Sequence, residues 1–386
     1  MAQFEQVYNI LNAVAKQATG REDISVVDTT SFVSVANTVL RMGVDVFFNT
    51  LSDVLSRTIF SYRPYEPLFD IVSADSERWG NHVRKVVPLD FEAVENEEYT
   101  LEDGQSYDPW IVAKDKVLQF NFYDTVTHAR YRSYPVDQIR TACTGPEQFS
   151  EFIAMLFSNA RSLINADEEN SRRLCVCNFI AGKTLVDSRN VRHLLTEYNA
   201  YTGQTLTAQT ARQNTNYIPF MQWVSAEIES ASLHMRERGY KYHMNLENAY
   251  IPRHTPRNYQ RLIMMADDYA RIKNSVLSNT FNEEYIRGFE KFEAINFLQS
   301  ENTPNSIQIK PSILTNSGTV TEGAETTVNN FFAMIFDRDA MLHTTIDTSS
   351  YTTPINGRTK HYNVWYHYTN RYCNDFTENA VMFLMD

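Results

Sequence analysis

The sequence predicts an α+β fold, in which helices and strands occupy separate stretches of the chain. Three observations predict it. A long apolar stripe at helical spacing follows Gly145-Pro146, two segments of alternating polarity flank an acidic stretch, and strand-like apolar runs close the chain. The 386 residues exceed the usual size of a single core, so we expect two or more lobes.

Composition and charge narrow the class of protein. Hydrophobic residues make up 43% of the chain and aromatic residues 13%, which is enough to bury a sizeable core and excludes global disorder. The formal net charge is −12, whereas general nucleic-acid binding needs a basic surface. The amino terminus lacks the basic head of a signal peptide, and no stretch holds the ~18 consecutive apolar residues that span a bilayer. The absence of a spanning stretch predicts no membrane partner. The spacing of the four cysteines matches no disulfide framework, so we expect a reduced, cytoplasmic protein.

The N-terminal part predicts two helices. Apolar residues recur at three- and four-residue steps from Phe4 to Val14 and again from Leu40 to Leu55, on either side of the polar stretch GREDISVVDTTS. Each helix needs a partner surface, because a short helix is marginal alone. The two prolines of RPYEPLFDIVS then predict an extended connection.

A long hairpin is predicted around the acidic stretch ENEEYTLEDGQSYD. Val87 and Leu89 alternate with polar residues before it, Leu118 and Phe120 do so after it, and the Asp-Gly dipeptide at 103–104 favours a turn. An unstructured loop of this length is rare in a compact domain, so we expect an arm that projects from the body. A two-stranded arm cannot bury its apolar face alone, and a neighbouring copy of the chain is expected to cover it.

The acidic stretch has two other interpretations. A calcium-binding loop needs oxygen ligands at alternating positions, a central Gly and a terminal Glu, but Gly104 lies near the end of the stretch and the spacing fails. A solvated turn is the simplest alternative, and it stays open beside the docking arm.

Further helices are predicted in the rest of the chain. The stripe from Phe149 to Ile164 is the clearest, and its aromatic content predicts that the helix packs across a sheet. Others are predicted around Val191–Tyr198 and Phe220–Ala231. Thr280 and Glu283 have the spacing of a capping box ahead of another helix.

Short apolar runs alternate with these helices. RLIMM and FFAMIF are two of them, and Asp337, after the second, is interpreted as a helix cap. The final runs NVWYHYTNRY and AVMFLMD are typical of strands. The small, polar stretch at 312–327 is expected to be an exposed loop.

No motif in the sequence indicates catalysis or a metal site. AGKT resembles the end of a phosphate-binding loop, but Cys177 stands where that motif needs Gly, and a helix ending near Gly182 is favoured. Cys175 and Cys177 lack the further ligands of a zinc site and are expected to pack as small apolar residues. His361 and His367 could belong to an aromatic cage, but a buried sheet explains them more simply. We expect no catalytic residue, no cofactor and no metal.

The order of elements resembles the major capsid proteins of tailed phages with the HK97-type fold. The resemblance is carried by SERWGNHVRKVVP before the arm, by the helix opened by GPEQFSEFIAMLF, and by FFAMIFDRDAML ahead of a strand-rich C-terminus. In detail it is closest to the small podoviruses of Gram-positive hosts, the φ29-like and picovirus group, and a streptococcal phage is the expected source.

The resemblance implies four structural parts: an N-arm, an extended E-loop, a peripheral P-domain and an axial A-domain. The implied ranges are 1–70 for the N-arm, 83–134 for the E-loop, 71–82, 135–185 and 331–386 for the P-domain with its spine helix at 145–170, and 186–330 for the A-domain.

The implied function is that of a non-enzymatic coat protein. It would assemble into pentamers and hexamers of an icosahedral head that encloses double-stranded DNA, held non-specifically. Scaffolding and portal proteins would be its partners, the virion its location, and the host cytoplasm its place of assembly. A two-lobed cytoplasmic enzyme with an unmarked site and an encapsulin-like nanocompartment shell protein are the alternatives.

The resemblance also assigns a role to the acidic stretch, whose tip would lie over the P-domain of a neighbouring subunit. Exposed ion pairs contribute only ~0–1 kcal/mol each, so we expect them to set register while apolar faces supply most of the energy. The acidic tip residues are Glu95, Glu97, Glu98, Glu102, Asp103 and Asp108, and the candidate basic partners are Arg130, Arg132, Arg172 and Arg173.

Overall fold

The computed structural model describes residues 2–20, 25–26, 28–42, 65–74, 83–90, 102–106, 110, 112, 114, 116–122, 125–135, 146–247, 250–273 and 289–386. The α-helices in these ranges are α1 (Ala2–Thr19), α2 (Thr29–Met42), α3 (Pro146–Val186), α4 (Leu194–Thr202), α5 (Ala208–Ala211), α6 (Asn214–His234) and α7 (Ala266–Arg271). The strands are β1 (Val83–Pro88), β2 (Val117–Phe122), β3 (Thr125–Pro135), β4 (Val191–His193), β5 (Gln260–Met265), β6 (Lys291–Ile295), β7 (Ile307–Ile309), β8 (Ser312–Leu314), β9 (Val320–Glu322), β10 (Thr326–Val328), β11 (Phe331–Asp337), β12 (Met341–Thr352), β13 (His361–Asn374) and β14 (Ala380–Leu384).

A five-stranded sheet lies at the centre of the described structure, in the order β4-β14-β11-β5-β6. β11 pairs antiparallel with both β14 and β5, while β4 and β6 add parallel strands at the two edges. The runs FFAMIF, AVMFL and RLIMM form its three central strands, and every one of their residues is buried. A strand covered on both faces lacks alternation, which is why these runs are continuously apolar.

The two faces of this sheet belong to two hydrophobic cores, because successive side chains of a strand point in opposite directions. Met334 and Phe336 face a core shared with Phe179 of α3. Ile335 faces a second core shared with Phe220 of α6. The sheet therefore separates the long helix α3 from the helices α4 and α6.

A second sheet consists of three long antiparallel strands in the order β12-β13-β3. α3 lies against one of its faces, where Tyr368 donates a hydrogen bond to Asp167 at 2.5 Å and Asn370 donates one to Ser171 at 3.2 Å. The helix that begins with the predicted stripe does pack across a sheet, but through residues beyond the stripe, and the side chains of the stripe up to residue 158 lie outside the described ones. The predicted mixture of helices and strands is confirmed.

α3 is longer than expected. The stretch predicted as the spine helix, 145–170, is only its first part, and the helix continues through both cysteines and AGKT to Val186. The helical interpretation of AGKT is confirmed, although the helix ends four residues beyond Gly182. Cys175 and Cys177 are buried, free thiols, and burial raises the pKa of each to about 12, so both are protonated at neutral pH.

The two N-terminal helices cover one another. Leu11 and Val14 of α1 and Phe32 and Val35 of α2 are buried between them. The second helix begins at Thr29, inside the stretch expected to be a polar break, and most of the predicted Leu40–Leu55 stripe lies outside the described residues.

Other predictions need correction. Asp337 does not cap a helix: it ends the buried strand β11 and accepts a hydrogen bond from Thr255 at 2.7 Å. The stretch 312–327, expected to be a loop, contains β8 and β9 as a short hairpin, and β10 begins at Thr326. Val191 lies in a strand ahead of α4. The predicted capping box at Thr280 and Glu283 lies outside the described residues.

Candidate functional site

The predicted hairpin exists, but its apolar face is not left open. β1 and β2 pair antiparallel, with Val83 opposite Phe122 and Pro88 opposite Val117. Val87 and Phe120 are buried in the core beside α3, and Leu118 packs against that core. The expectation that a neighbouring copy covers this face is therefore wrong for the described strands, because the chain's own body covers it.

A partly buried lysine, paired with two buried carboxylates, anchors the hairpin to the body. Lys85 lies on the inner face of β1 and donates hydrogen bonds to Asp375, at 2.6 Å, and to Glu378. Glu378 also pairs with Arg253 at 3.1 Å, and Asp375 accepts two further bonds from Thr377, at 2.7 and 2.9 Å. Burial alone would raise the pKa of Asp375, but the charge and hydrogen bonds of Lys85 outweigh it and lower the pKa. The hairpin is thus fixed at its base.

The opposite end of the hairpin is exposed. Glu102 and Asp103 are exposed in a turn where Gln105 N–H donates to the Glu102 carbonyl at 3.0 Å, and Gly104 supplies the positive φ of 94° that the turn needs. Trp110 has 84% of its surface exposed. The other predicted tip residues, Glu95, Glu97, Glu98 and Asp108, lie outside the described residues.

The four arginines proposed as partners of the tip already have partners within the chain. Arg130 forms a two-point ion pair with Asp167 of α3. Arg172 donates to the Phe69 carbonyl at 3.0 Å, and Arg173 pairs with Glu169 at 2.7 Å. Arg132 lies over the ring of Tyr134, at 5.7 Å. Contact of these arginines with a neighbour's acidic tip stays a prediction, and for three of them it would require sharing the charge with an internal carboxylate.

Residues 65–74, which we call the strap, connect the N-terminal helices to the body. The described part of the predicted extended connection forms no regular helix or strand, but it turns at Ile71 and Val72. Glu169 accepts hydrogen bonds from the Tyr65 hydroxyl and the Leu68 amide, and Arg261 donates to the Ile71 carbonyl at 2.6 Å. Phe69 and Ile71 are buried in the core beside α3. The strap is therefore held by side chains from both α3 and the central sheet.

The strap also contains a link that responds to pH. Glu293 of β6 accepts hydrogen bonds from the amides of Asp70 and Ile71, at 3.2 and 2.9 Å. Burial raises the pKa of Glu293 to about 7. Because the pKa of Glu293 is higher in the folded state than in the unfolded state, protonated Glu293 stabilises the fold. This stabilisation is complete at low pH and is lost as pH rises from about 4.5 to about 7.

We expect the Glu293→Gln variant to remove this pH dependence. Gln keeps an acceptor oxygen but takes no charge. The free energy of unfolding of the variant minus that of wild type should therefore increase between pH 5 and pH 8. Urea denaturation at several pH values measures this difference. The exposed Glu301→Gln substitution is the matched control and should give a flat difference; the same flat line for Glu293→Gln would contradict the assignment.

Buried polar side chains elsewhere act structurally. Lys183 and Asp187, both fully buried near the end of α3, pair at 2.7 Å, and Asn190 donates to the same carboxylate at 2.6 Å. Lys183 and Asn190 also donate to the carbonyls of Tyr242 and Lys241, so the group fastens the end of α3 to that loop.

Within the described residues, no group of three or more His, Cys, Asp or Glu could hold a metal ion. No helix in the described ranges is long and apolar enough to cross a bilayer.

Sequence reasoning missed the anchor of the hairpin. Lys85 is 290 residues from Asp375, and no local pattern connects them. The available signal was a lysine on the apolar face of a strand, since a charge there needs a buried partner. The outward-facing aromatic residues of β13 were noted in the sequence, but their position on the far side of the sheet from α3 required the structure.

Comparison with known proteins identifies relatives of this architecture. The family model described as Phi29-like phage major capsid protein matches residues 11–384. No curated protein matches the chain.

Two solved structures show the same fold. A chain from the capsid structure of Staphylococcus phage Andhra is 12% identical, with a TM-score of 0.52 over 85% of this chain and 87% of that one. A chain from the structure described as head fiber and inner core protein gp22 of native bacteriophage P68 is 10% identical, with a TM-score of 0.55 over the same shares of the two chains.

Proposed function

The chain belongs to the Phi29-like phage major capsid protein family and is a capsid-forming coat protein, and we propose that its acidic hairpin tip holds neighbouring subunits together in the shell. The observation that carries this proposal is the contrast between the two ends of the hairpin. Its base is fixed by the ion pair of Lys85 with the buried Asp375, while Glu102, Asp103 and Trp110 are exposed at the other end. A rigid base lets an exposed tip reach a partner without a large loss of entropy.

We place the parts of the fold as follows. The N-arm is 1–70, continued into the body by the strap, and the E-loop is 83–134. The P-domain combines 71–82, 135–185 and 331–386, and its centre is α3 with β12 and β13, to which β3 of the E-loop adds a third strand. The A-domain is 186–330, and its strands β4 and β5 pair with β14 and β11 of the P-domain in the central sheet.

The shell is proposed to consist of pentamers and hexamers in an icosahedral head around double-stranded DNA. The net charge of −12 supports non-specific enclosure, because a wall that is not strongly basic gains little from counterion release and lets the DNA leave. Scaffolding and portal proteins are the proposed partners. Assembly in the host cytoplasm, location in the virion, and the lack of enzymatic activity complete the proposal.

The source is proposed to be a small podovirus of a Gram-positive host. The likeness to a Staphylococcus phage capsid chain supports the class of host. A streptococcal host stays a prediction. Neither the enzyme nor the encapsulin-like nanocompartment gains support from any feature of the described residues.

The docking role is tested by reversing the tip charge. We expect the Glu97→Lys, Glu98→Lys, Glu102→Lys triple variant to stay folded and to form no shells, because like charges then face each other across the contact. Electron microscopy measures shells and circular dichroism measures folding. Glu301→Lys, Glu322→Lys, Glu325→Lys changes the net charge equally at exposed positions outside the hairpin and should still assemble. Normal particles from the tip variant would refute the docking role.

A further inference from the structure

A lysine, an aspartate and an asparagine meet at one oxygen atom beside the end of α3. Lys183 Nζ donates a hydrogen bond to Asp187 Oδ2 at 2.7 Å, and Asn190 Nδ2 donates one to the same oxygen at 2.6 Å. The two nitrogen atoms therefore lie within two hydrogen-bond lengths of each other. All three residues are buried, and Lys183 is completely so. An amine and an amide are thus held side by side, away from water.

A plain ion pair is an expensive way to fasten α3 at this place. Both charges must be removed from water, and their attraction often fails to offset that cost. Asp187 Oδ1 is buried and accepts no hydrogen bond from the described residues, while Arg189 approaches it only to 3.7 Å and is itself 68% exposed. An unsatisfied buried acceptor adds a further cost. A reaction that ends in uncharged groups would remove most of this cost.

Lys183 has the environment of a nucleophilic amine. Burial lowers its pKa against the attraction of Asp187, and the nearby charge of Arg189 lowers it further. A lysine that loses its proton gains the free electron pair that a nucleophile needs. Lys85 is the contrasting case, because it is partly exposed and lies between two carboxylates. Lys85 also has no asparagine among its hydrogen-bond partners in the described part of the chain.

We propose that Lys183 and Asn190 of the same chain join in an isopeptide bond, with Asp187 as the catalytic proton carrier. Nζ of Lys183 forms a bond to Cγ of Asn190, the bond from Cγ to Nδ2 breaks, and ammonia leaves. The reaction uses no oxidant and no co-reactant. It takes place once per chain and inside one subunit, so it goes beyond the proposed function and does not depend on the hairpin tip.

Asp187 can move the protons because its Oδ2 contacts both nitrogen atoms at proton-transfer distance. The carboxylate first takes a proton from Nζ, whose electron pair then attacks Cγ. It next gives that proton to Nδ2, which leaves as ammonia, and takes a second proton from Nζ as the amide forms. Asp187 ends as a neutral acid. For the attack, Nζ must approach Cγ to about 3–3.5 Å, which the flexible stem of a lysine allows.

The bond would close a covalent ring across residues 183–190, from the last turn of α3 to the residue before β4. β4 is an edge strand of the central sheet and pairs with β14. The carbonyls of Tyr242 and Lys241 accept hydrogen bonds from the same two nitrogen atoms and so hold the amine and the amide in position. The link would keep α3 attached to the edge of the sheet even where the hydrogen bonds between them open.

Mass spectrometry of the purified, denatured full chain tests the bond. We expect the chain to be lighter than its sequence by one ammonia molecule. Trypsin cleaves after Arg173, Arg189 and Arg192 but not after an amide-linked lysine, so the digest should contain residues 174–189 joined to residues 190–192. Separate peptides 174–183, 184–189 and 190–192 would overturn the proposal. A succinimide at an asparagine also loses ammonia, but it leaves Lys183 open to trypsin and would count against the bond.

Substitutions test the two assigned roles. Asn190→Ala removes the acceptor carbonyl, and Asp187→Asn keeps the shape of the side chain but cannot carry the protons, so both variants should lack the joined peptide. Asn170→Ala, at an exposed asparagine of α3, is the matched control and should retain the joined peptide. Circular dichroism shows whether each variant is folded. A joined peptide in folded Asp187→Asn would overturn the role of Asp187. The digest of the wild-type chain decides the bond itself even where a variant does not fold.

Discussion

The Lys85→Met variant is expected to lose about 3–5 kcal/mol of unfolding free energy, the usual cost of removing one partner from a buried ion pair. Lys85 is the cation that faces both Asp375, which is fully buried, and Glu378, which is nearly so. Arg253 remains near Glu378, but Asp375 is left with only its bonds to Thr377. The cost comes mainly from leaving the buried carboxylate of Asp375 without a cation, and less from losing its attraction to Lys85.

The measurement is urea denaturation of the purified chain, combined with hydrogen exchange in β1 and β2. Amides of the hairpin should exchange faster in the variant, because the link from β1 to the segment at 375–378 is gone. Lys114→Met, an exposed lysine on the same arm, is the control and should change stability by less than about 0.5 kcal/mol. A hairpin as protected as that of wild type would contradict the anchor.

A compensating variant separates the two sources of the cost. Lys85→Met with Asp375→Asn removes the cation together with the carboxylate that depends on it, while Glu378 keeps its pair with Arg253, so no carboxylate is left without a partner. Replacing all members of a buried charged group is often close to neutral, whereas breaking it is not. We therefore expect the combined variant to recover part of the loss.

The sequence reveals which residues share a face, but not what covers that face. Alternation in β1 and β2 predicted their pairing correctly. The same pattern led to the expectation of a neighbouring subunit over Val87 and Phe120, where the chain's own core lies. Period-two alternation is a property of one strand, while its partner is chosen by the topology of the whole chain.

Strands at the centre of a sheet are the hardest to recognise, because they lose the alternation that marks a strand. FFAMIFD is buried at every position, so Asp337 at its end looked like the cap of a following helix. Its true partner, Thr255, is 82 residues away. Charged side chains on α3 carry a clearer signal. Glu169 and Arg173 are four residues apart, a spacing that predicts an ion pair within the helix, and the structure contains this pair.

The family resemblance, by contrast, depended on the order of elements and not on any single contact. The order of elements can persist when most side chains differ, and the fold is shared with two phage structures at 10–12% identity. The candidate contact residues do not follow from that order. In the sequence, charge alone makes Arg130, Arg172 and Arg173 candidates, and only the structure shows that each already has a carboxylate partner.

The segment 375–378, which anchors the hairpin, also packs against α3 through Phe376. This ring is buried and stacks on Phe179 of α3, with ring centroids 5.0 Å apart and planes inclined by 6°. Phe376→Ala is expected to cost about 3–5 kcal/mol, because it removes a large buried ring and leaves a cavity between α3 and the sheet. Urea denaturation gives the change in free energy of unfolding.

Gly182 tests the same contact from the other side. A Cβ atom there would lie 2.4 Å from Cζ of Phe376, a distance that forces the ring to move. Alanine should favour a helix interior by about 0.5–1 kcal/mol, but overpacking a core costs about 1–3 kcal/mol, so Gly182→Ala is expected to destabilise the protein. Gly239→Ala, where a Cβ meets nothing within 4 Å, is the control and should have little effect.

Combining the two substitutions identifies the contact as the cause. Once Phe376 is alanine, the methyl group of Ala at position 182 no longer meets a ring and instead fills part of the cavity. The double variant should therefore be more stable than the sum of the two single losses predicts, by about 0.5–3 kcal/mol, the range found for residues in direct contact. Strict additivity would mean that α3 and the segment at 375–378 do not depend on each other. In that case the hairpin, the helix and the central sheet would not share this junction.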